Sequence, residues 1–334
     1  MFKLLASWGF LFGAVAGGIT AVLAFDFDAG KVATYYLLPY YAICIAMQYI
    51  WPEQANEFEK NEVITDGLNN GAMFAVSGLQ NLLTHALIAA TGSGLLFHFG
   101  ILGDQWSAHN LPFAAQVAIS YLVFDFMFYV THRMAHEVDF FWRMHSVHHS
   151  AHRLSVVNAS RTHPIDLIWR RIVPAFVVFQ TGVSQEAFIM SGVIGSVLAT
   201  ITHMNVDFKF GVLNYVIGTN EVHRWHHSDK IDEAKNFSVF MLWDHLFGTY
   251  VYLPRGQKRP ARMGLFNENH YPVHNFFGQL FVPLNWKRMK ARQLADDPLA
   301  HIPPTSTHPR PSVTAAVAAP NAAPDSAAGE SVTA

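Results

Sequence analysis

Histidine is the unusual residue in this chain: it occurs 19 times, and eight copies fall in three tight runs. His132-Arg-Met-Ala-His136 is an H-x3-H pair, while His145-Ser-Val-His148-His149 and His223-Arg-Trp-His226-His227 are H-x2-H-H triplets. On a helix, positions i, i+3 and i+4 share a face with Cβ atoms about 5–6 Å apart, so each run is a ready ligand set for a metal. Eight neutral imidazoles exceed the roughly 4–6 ligands of one ion, and two metals fit better. Structural zinc normally recruits cysteine, and the single cysteine, Cys44, stands far from these runs in sequence; a hydrolytic H-E-x-x-H site needs a glutamate that both triplets lack. Imidazole also suits iron, and iron adds dioxygen chemistry, so iron is favoured over zinc or manganese. The bland alternative is a solvated, pH-sensing histidine patch. Isolated histidines such as His85, His98, His109 and His245 read as packing, capping or interfacial residues.

Such a cluster needs helices to hold it, and the composition indicates which solvent they meet. Of 334 residues 51% are hydrophobic and 14% charged, against the roughly 25% charged of a soluble domain. Only Lys3, Lys31 and Lys60 precede residue 130 among the 22 Lys and Arg, so the first third belongs to a bilayer. Cys44 has no intrachain partner, which rules out an intramolecular disulfide and allows a reducing compartment. A net charge of −2 gives no footprint for nucleic acid.

Leu4 to Phe25 is an uncharged apolar run of the ~20 residues that cross a ~30 Å hydrocarbon core. It exceeds the ~7–15-residue core of a signal peptide and no A-x-A site follows, so it reads as an anchor. A second run, Ala33 to Trp51, carries Tyr35, Tyr36, Tyr40, Tyr41, Tyr49 and Trp51, which suit an aromatic belt. Pro52 to Asp66 is expected to be a solvated loop because Glu53, Glu57, Glu59, Lys60 and Glu62 are costly in hydrocarbon. A third apolar region, about Ala72 to Leu102, contains Gly78, Gly92 and Gly94 and is expected to bend or hairpin. The fourth, Pro112 to Thr131, would rise ~30 Å and present His132 and His136 just beyond the hydrocarbon. Ile172 to Thr202 has one carboxylate, Glu186, and a break at Thr181–Gly182, and reads as a spanning or re-entrant helical hairpin.

The expected architecture is therefore all-α and integral to a membrane: about four to six transmembrane or re-entrant helices under a helical cap that houses a histidine-rich dimetal site. Arg133, Arg143, Arg153, Arg161, Arg170 and Arg171 flank membrane segments on the histidine side, which the positive-inside rule assigns to the cytoplasm, at the plasma or inner membrane of a bacterium. The chain divides into an N-terminal membrane region (1–110), a catalytic region (111–255), a membrane-surface segment (256–297) and a Pro/Ala/Ser/Thr-rich tail (298–334) expected to be disordered.

Five motifs together resemble the fatty acid hydroxylase superfamily, which includes sterol desaturases, sterol C4-methyl oxidases and alkylglycerol monooxygenase. They are D-x6-H-R-x2-H at Asp125–His136, F-W-x2-H-x2-H-H-S at Phe141–Ser150, R-T-H-P at Arg161–Pro164, H-R-W-H-H at His223–His227, and N-F-x5-W-D-x-L-F-G-T-Y at Asn236–Tyr250. The gap between His136 and His145 is much shorter than in membrane acyl-CoA desaturases. The resemblance implies that His132, His136, His145, His148, His149, His223, His226 and His227 bind two iron ions, with His203 as an added ligand at the membrane end of the preceding hairpin. Some relatives have an H-x3-H pair there, where this chain has Asp207, leaving that residue as ligand, supporting partner or bystander. His163, followed by Pro164, is a ligand candidate or a structural turn.

Asp125 lies about two turns before His132 on the same face, where it is expected to accept the ring N–H of a ligand histidine and so orient it; Asp244 and Asn236 would serve similarly from the other side, or cap helices. The expected activity is dioxygen-dependent attack on a C–H bond of a membrane lipid, with dioxygen as cosubstrate. Hydroxylation ranks first and desaturation second. Two electrons must come from an external ferredoxin- or cytochrome b5-type donor, because no haem, flavin or ferredoxin motif is present. The basic residues of Arg133–Arg171 and Lys287–Arg292 offer a dock for an acidic donor or anionic headgroups. The non-enzymatic alternative, a metal-binding or transport protein, should carry its ionisable ligands at mid-membrane, whereas these runs follow or lie between the apolar segments. Oligomeric state is not legible.

Overall fold

A computed structural model describes residues 1–54, 60–91, 108–252 and 259–307. Among these the chain is helical, with only isolated β-bridges such as Ile217 to Phe240. Helix α1 spans Phe2–Ala24, and a short α2 (Ala29–Val32) runs through a π-helical turn, Ala33–Leu37, into α3 (Leu38–Ile50). The widened turn sits just before Pro39, which lacks an N–H and whose ring would collide with the carbonyl four residues back. Helix α4 follows at Lys60–Thr91, α5 at Phe113–Glu137, α6 at Asp139–His149, α7 at Pro164–Gln180 and α8 at Gln185–His203. The short α9 (Asn220–His226) and α10 (Leu242–Leu246) complete the histidine region, and α11 (Phe276–Leu280) and α12 (Val282–Asp296) lie beyond it.

Three of the described helices, α1, α5 and α8, are long and apolar enough to cross a membrane. Their 23, 25 and 19 residues rise ~29–38 Å, enough for a ~30 Å core. Leu5, Phe12 and Leu23 of α1 are each more than half exposed, an apolar surface that lipid covers. The protein is integral to the membrane. Several polar groups inside these helices are paired: Ser120 of α5 meets Ser191 of α8 at 2.7 Å, and the Gln116 amide donates to the His109 and Leu111 carbonyls and accepts from the Ser184 amide.

The break expected at Thr181–Gly182 is present, turning α7 into α8 with Gly182 at φ 75°. Helix α5 packs on α7 and α8, α1 on α8, and α4 on α7. The N-terminal region shares a core with the histidine region: Leu11, Tyr40 and Cys44 pack with Val197, Ile201, Met204 and Phe210.

Two expectations need correction. The stretch Pro52–Asp66 is not simply a solvated loop, because α4 begins at Lys60 and buries Glu62 and Asp66. Arg153 meets Glu62 at 2.6 Å and the fully buried Arg161 meets Asp66 at 2.6 Å, so these acids escape both water and hydrocarbon by pairing. The tail is also ordered at its start, since the Ile231 amide donates to the Pro304 carbonyl at 3.1 Å and Ser306 bonds Asp232. The rest of the tail (308–334), the expected bend at Gly92 and Gly94, His98 and Glu57 and Glu59 lie outside the described residues.

Arg161→Met should strand the Asp66 carboxylate. Loss of one partner of a buried pair costs about 3–5 kcal/mol, so the thermal midpoint in detergent should fall well below that of the parent. An unchanged midpoint would remove this pair from the account.

Candidate metal centre

Helix α5 brings Asp125, His132 and His136 to one face because they are spaced by two turns and one turn. Val138, extended at φ −110° and ψ 115°, then folds α6 back so that its histidines face those of α5. The end of α8 is fixed to the start of α9 by the Asn220 amide, which donates to the Met204 and Val206 carbonyls at 2.9 Å. Gln48 of α3 accepts from the Asn205 and Val156 amides, holding the same corner from the other side. This sets His203 against His223, with their Nε2 atoms 3.0 Å apart.

The nine histidines converge as two groups. His132, His136, His145, His149 and His226 form the first; His148, His203, His223 and His227 form the second; within each, the candidate ligand atoms all lie within 4.8 Å of one another. Each H-x2-H-H triplet is divided between the groups. Its i and i+4 members, one turn apart, enter one group, while the i+3 member, rotated to the side, enters the other. In α6 the pair His145/His149 joins the first group and His148 the second; in α9 the pair His223/His227 joins the second and His226 the first. The groups adjoin, His149 stacking on His227 with centroids 4.4 Å apart.

Hydrogen bonding prepares these rings for a cation. His132 Nδ1 donates to the Phe237 carbonyl at 2.7 Å, His148 Nδ1 to that of Arg161 at 3.2 Å, and His226 Nδ1 to that of Lys235 at 2.7 Å. A carbonyl only accepts, so these rings carry their proton on Nδ1 and leave Nε2 a bare lone pair. His145 Nδ1 donates to Asp166 at 3.0 Å, with the same consequence. His132 Nε2 therefore faces His145 Nε2 at 3.1 Å with no proton for the space between. Such a contact is repulsive unless a positive charge lies between the lone pairs, and two nitrogens each ~2.1 Å from one ion at right angles are ~3 Å apart. The buried His136 Nε2 has no hydrogen-bond partner, as expected of a ligand atom. The residues present fit two metal ions.

Burial pushes His145, His148, His149, His223, His226 and His227 below the usual histidine range, keeping them neutral and able to ligate. Aromatic rings wall the first group: Phe237 lies 5.1 Å from His136 and Trp142 5.3 Å, while Phe128 lies 5.3 Å from His132.

The other polar candidates stand outside both groups. Asp125, expected to take a ring N–H, instead accepts from the backbone amides of Val239 and Phe240 at 3.0 and 3.1 Å. Asp244 accepts from the amides of Phe237 and Ser238 at 2.9 Å, and Asn236, at φ 68°, pairs with both the amide and the carbonyl of Val251. These three clamp the segment whose Phe237 carbonyl orients His132, so they reach a ring through the backbone. Gly218 belongs to the same arrangement, since a Cβ there would lie 2.9 Å from Met241 and 3.2 Å from the Ser238 carbonyl. His163 caps α7, accepting from the Ile165 amide on Nδ1 and donating from Nε2 to the Leu280 carbonyl. Asp207 pairs with Lys3 and Lys209, away from both groups.

Asp166 is the buried carboxylate that sequence reasoning missed. Two residues after Pro164, it reads as an ordinary first-turn acid of a helix. Its i+4 partner Arg170, one turn further along a largely apolar helix, was the available sign of a buried pair.

Residues 117–249 match the family described as fatty acid hydroxylase. The chain is 30% identical over 197 residues to the ornithine lipid hydroxylase OlsE of Rhizobium tropici, covering 58% of each chain. It is 30% identical over 161 residues to the alkylglycerol monooxygenase of Caenorhabditis elegans, 46% of this chain and 31% of that one. With a very-long-chain aldehyde decarbonylase of Oryza sativa it shares 31% over 199 residues, 57% of this chain and 63% of the relative. The chain thus spans little over half the length of the Rhizobium relative and under a third of the nematode one. No solved structure gives a significant match.

Proposed function

As a member of the fatty acid hydroxylase family through residues 117–249, the chain is, we propose, a membrane-bound non-haem di-iron oxygenase that hydroxylates a membrane lipid. The observation that carries this reading is the pair of buried histidine groups, with bare Nε2 atoms turned inward, at the end of membrane helix α5. His132, His136, His145, His149 and His226 hold one iron; His148, His203, His223 and His227 hold the other. Zinc and manganese would accept imidazole too, but an all-histidine pair of ions in a family of hydroxylases and monooxygenases points to iron.

When bound, the iron pair supplies dioxygen activation, one oxygen atom entering a C–H bond and the other leaving as water with two electrons and two protons from outside. The chain's own contribution is geometric. The carbonyls of Phe237, Arg161 and Lys235 fix three rings with their lone pairs inward. Phe128, Phe237 and Trp142 exclude water from the first group. Asp125, Asn236 and Asp244 stiffen the segment behind His132. The electrons come from a separate ferredoxin- or cytochrome b5-type protein, and the site opens to the cytoplasm.

For substrate, the Rhizobium relative suggests an amino-acid-containing lipid such as an ornithine lipid, and its similarity extends over 197 residues, beyond the segment that defines the family. The test is mass spectrometry of lipid extracts from a strain with and without the gene, and of extracts given the purified protein, reductant and dioxygen. A product heavier by one oxygen atom is expected. A product lighter by two hydrogens would assign desaturation instead, and unaltered lipids across every class would overturn the proposal.

A further inference from the structure

Resting on that reading, we propose that Asp166 is a positioning residue that makes the two metals unequal, polarising His145 and so holding the first group's metal more firmly and at a lower reduction potential. His132, His148 and His226 donate Nδ1–H to backbone carbonyls, which are neutral acceptors. His145 donates to the carboxylate of Asp166 at 3.0 Å, with both side chains fully buried. Among the described residues, Asp166 is the one carboxylate bonded to a ring of either group.

Two dications held by neutral imidazoles bring a large positive charge into an interior without countercharge. A carboxylate one ring away draws the Nδ1 proton toward itself, makes Nε2 a better donor to the metal and favours the higher oxidation state. Asp166 is built for this position. It accepts from Thr162 Oγ1 at 3.1 Å and Trp169 Nε1 at 3.2 Å, and Arg170 Nε lies 3.1 Å from both of its oxygens. Trp169 is itself stacked on Phe141 of α6, with centroids 4.2 Å apart, so the helix bearing the carboxylate and the helix bearing His145 are locked together. The arrangement keeps a charged oxygen aimed at Nδ1, and the Arg170 guanidinium allows that charge to exist without water.

The asymmetry follows because His145 belongs to the first group alone. Asp166→Asn keeps the volume and a carbonyl oxygen but removes the charge. The experiment reconstitutes parent, Asp166→Asn and Thr162→Val proteins with ferrous iron, then measures iron per chain, the Mössbauer spectrum and the reduction potential of each. Asp166→Asn should weaken iron binding ~10–100-fold at one of two sites, change one ferrous quadrupole doublet and raise that site's potential. Thr162→Val, which removes a support of Asp166 without touching His145, should move the same doublet less.

If the parent holds two irons and Asp166→Asn is indistinguishable from it, the inference is overturned while the oxygenase reading stands. Equal change at both doublets also overturns it, because a general loss of packing would not choose one group. A parent that binds no iron overturns the oxygenase reading itself.

Discussion

Alanine at His148 and alanine at His227 should give one spectroscopic defect, and alanine at His149 and at His226 a different one, although residues adjacent in sequence then fall in opposite classes. The division comes from helical geometry. In each H-x2-H-H triplet the i and i+4 side chains stack one turn apart on a common line, whereas the i+3 side chain is rotated toward the neighbouring group. His148 and His227 meet in the second group; His149 and His226 meet in the first, with their Nε2 atoms 3.1 Å apart. Changes to residues that merely support a ligand already cost ~10–100-fold, so removal of a ligand should lower the proposed lipid hydroxylation more than ~100-fold in all four variants. Activity therefore does not separate the classes. The Mössbauer spectrum of iron-reconstituted protein does, by which of two ferrous doublets is altered. If His148→Ala and His149→Ala alter the same doublet, the division is wrong.

Asp244→Ala should be the most damaging change among residues that touch no ligand ring. Asp244 is fully buried and accepts from the Phe237 and Ser238 amides at 2.9 Å and from Thr249 Oγ1 at 2.6 Å. Alanine leaves two buried amides unsatisfied, at about 1–3 kcal/mol each, and frees the Phe237 carbonyl that holds His132 Nδ1. The expected result is a lower thermal midpoint together with a ~10–100-fold loss of iron affinity at the first group. Asp125→Asn weakens the same segment at Val239 and Phe240, so the double variant should fall short of the sum of the singles. Full additivity in detergent melts, or a stability loss with iron binding intact, would show that the segment does not position His132.

The histidine runs were legible because a metal site imposes residue type and helical spacing at once, and both survive in the bare sequence. The membrane helices α1 and α5 were legible from uninterrupted apolar length, and α8 as the second arm of a hairpin that turns at Gly182. Pairing over long sequence separations was not. Glu62 and Asp66 looked like solvent-facing acids because their partners, Arg153 and Arg161, lie far along the chain. The spacing of Asp125 and His132 along one helix is visible in sequence, whereas the amides of Val239 and Phe240 that Asp125 binds arrive from a distant segment. The support of His145 by Asp166 was hidden for the same reason. A sequence shows which residues on one helix share a face, and leaves open what a second helix brings to it.

Metal content per chain, in protein purified anaerobically and reconstituted with ferrous iron, decides whether these histidines hold two irons. About two irons per chain are expected, both lost on chelation and restored with ferrous iron. Iron well below one per chain after reconstitution, or zinc occupying both groups and resisting replacement, would contradict it.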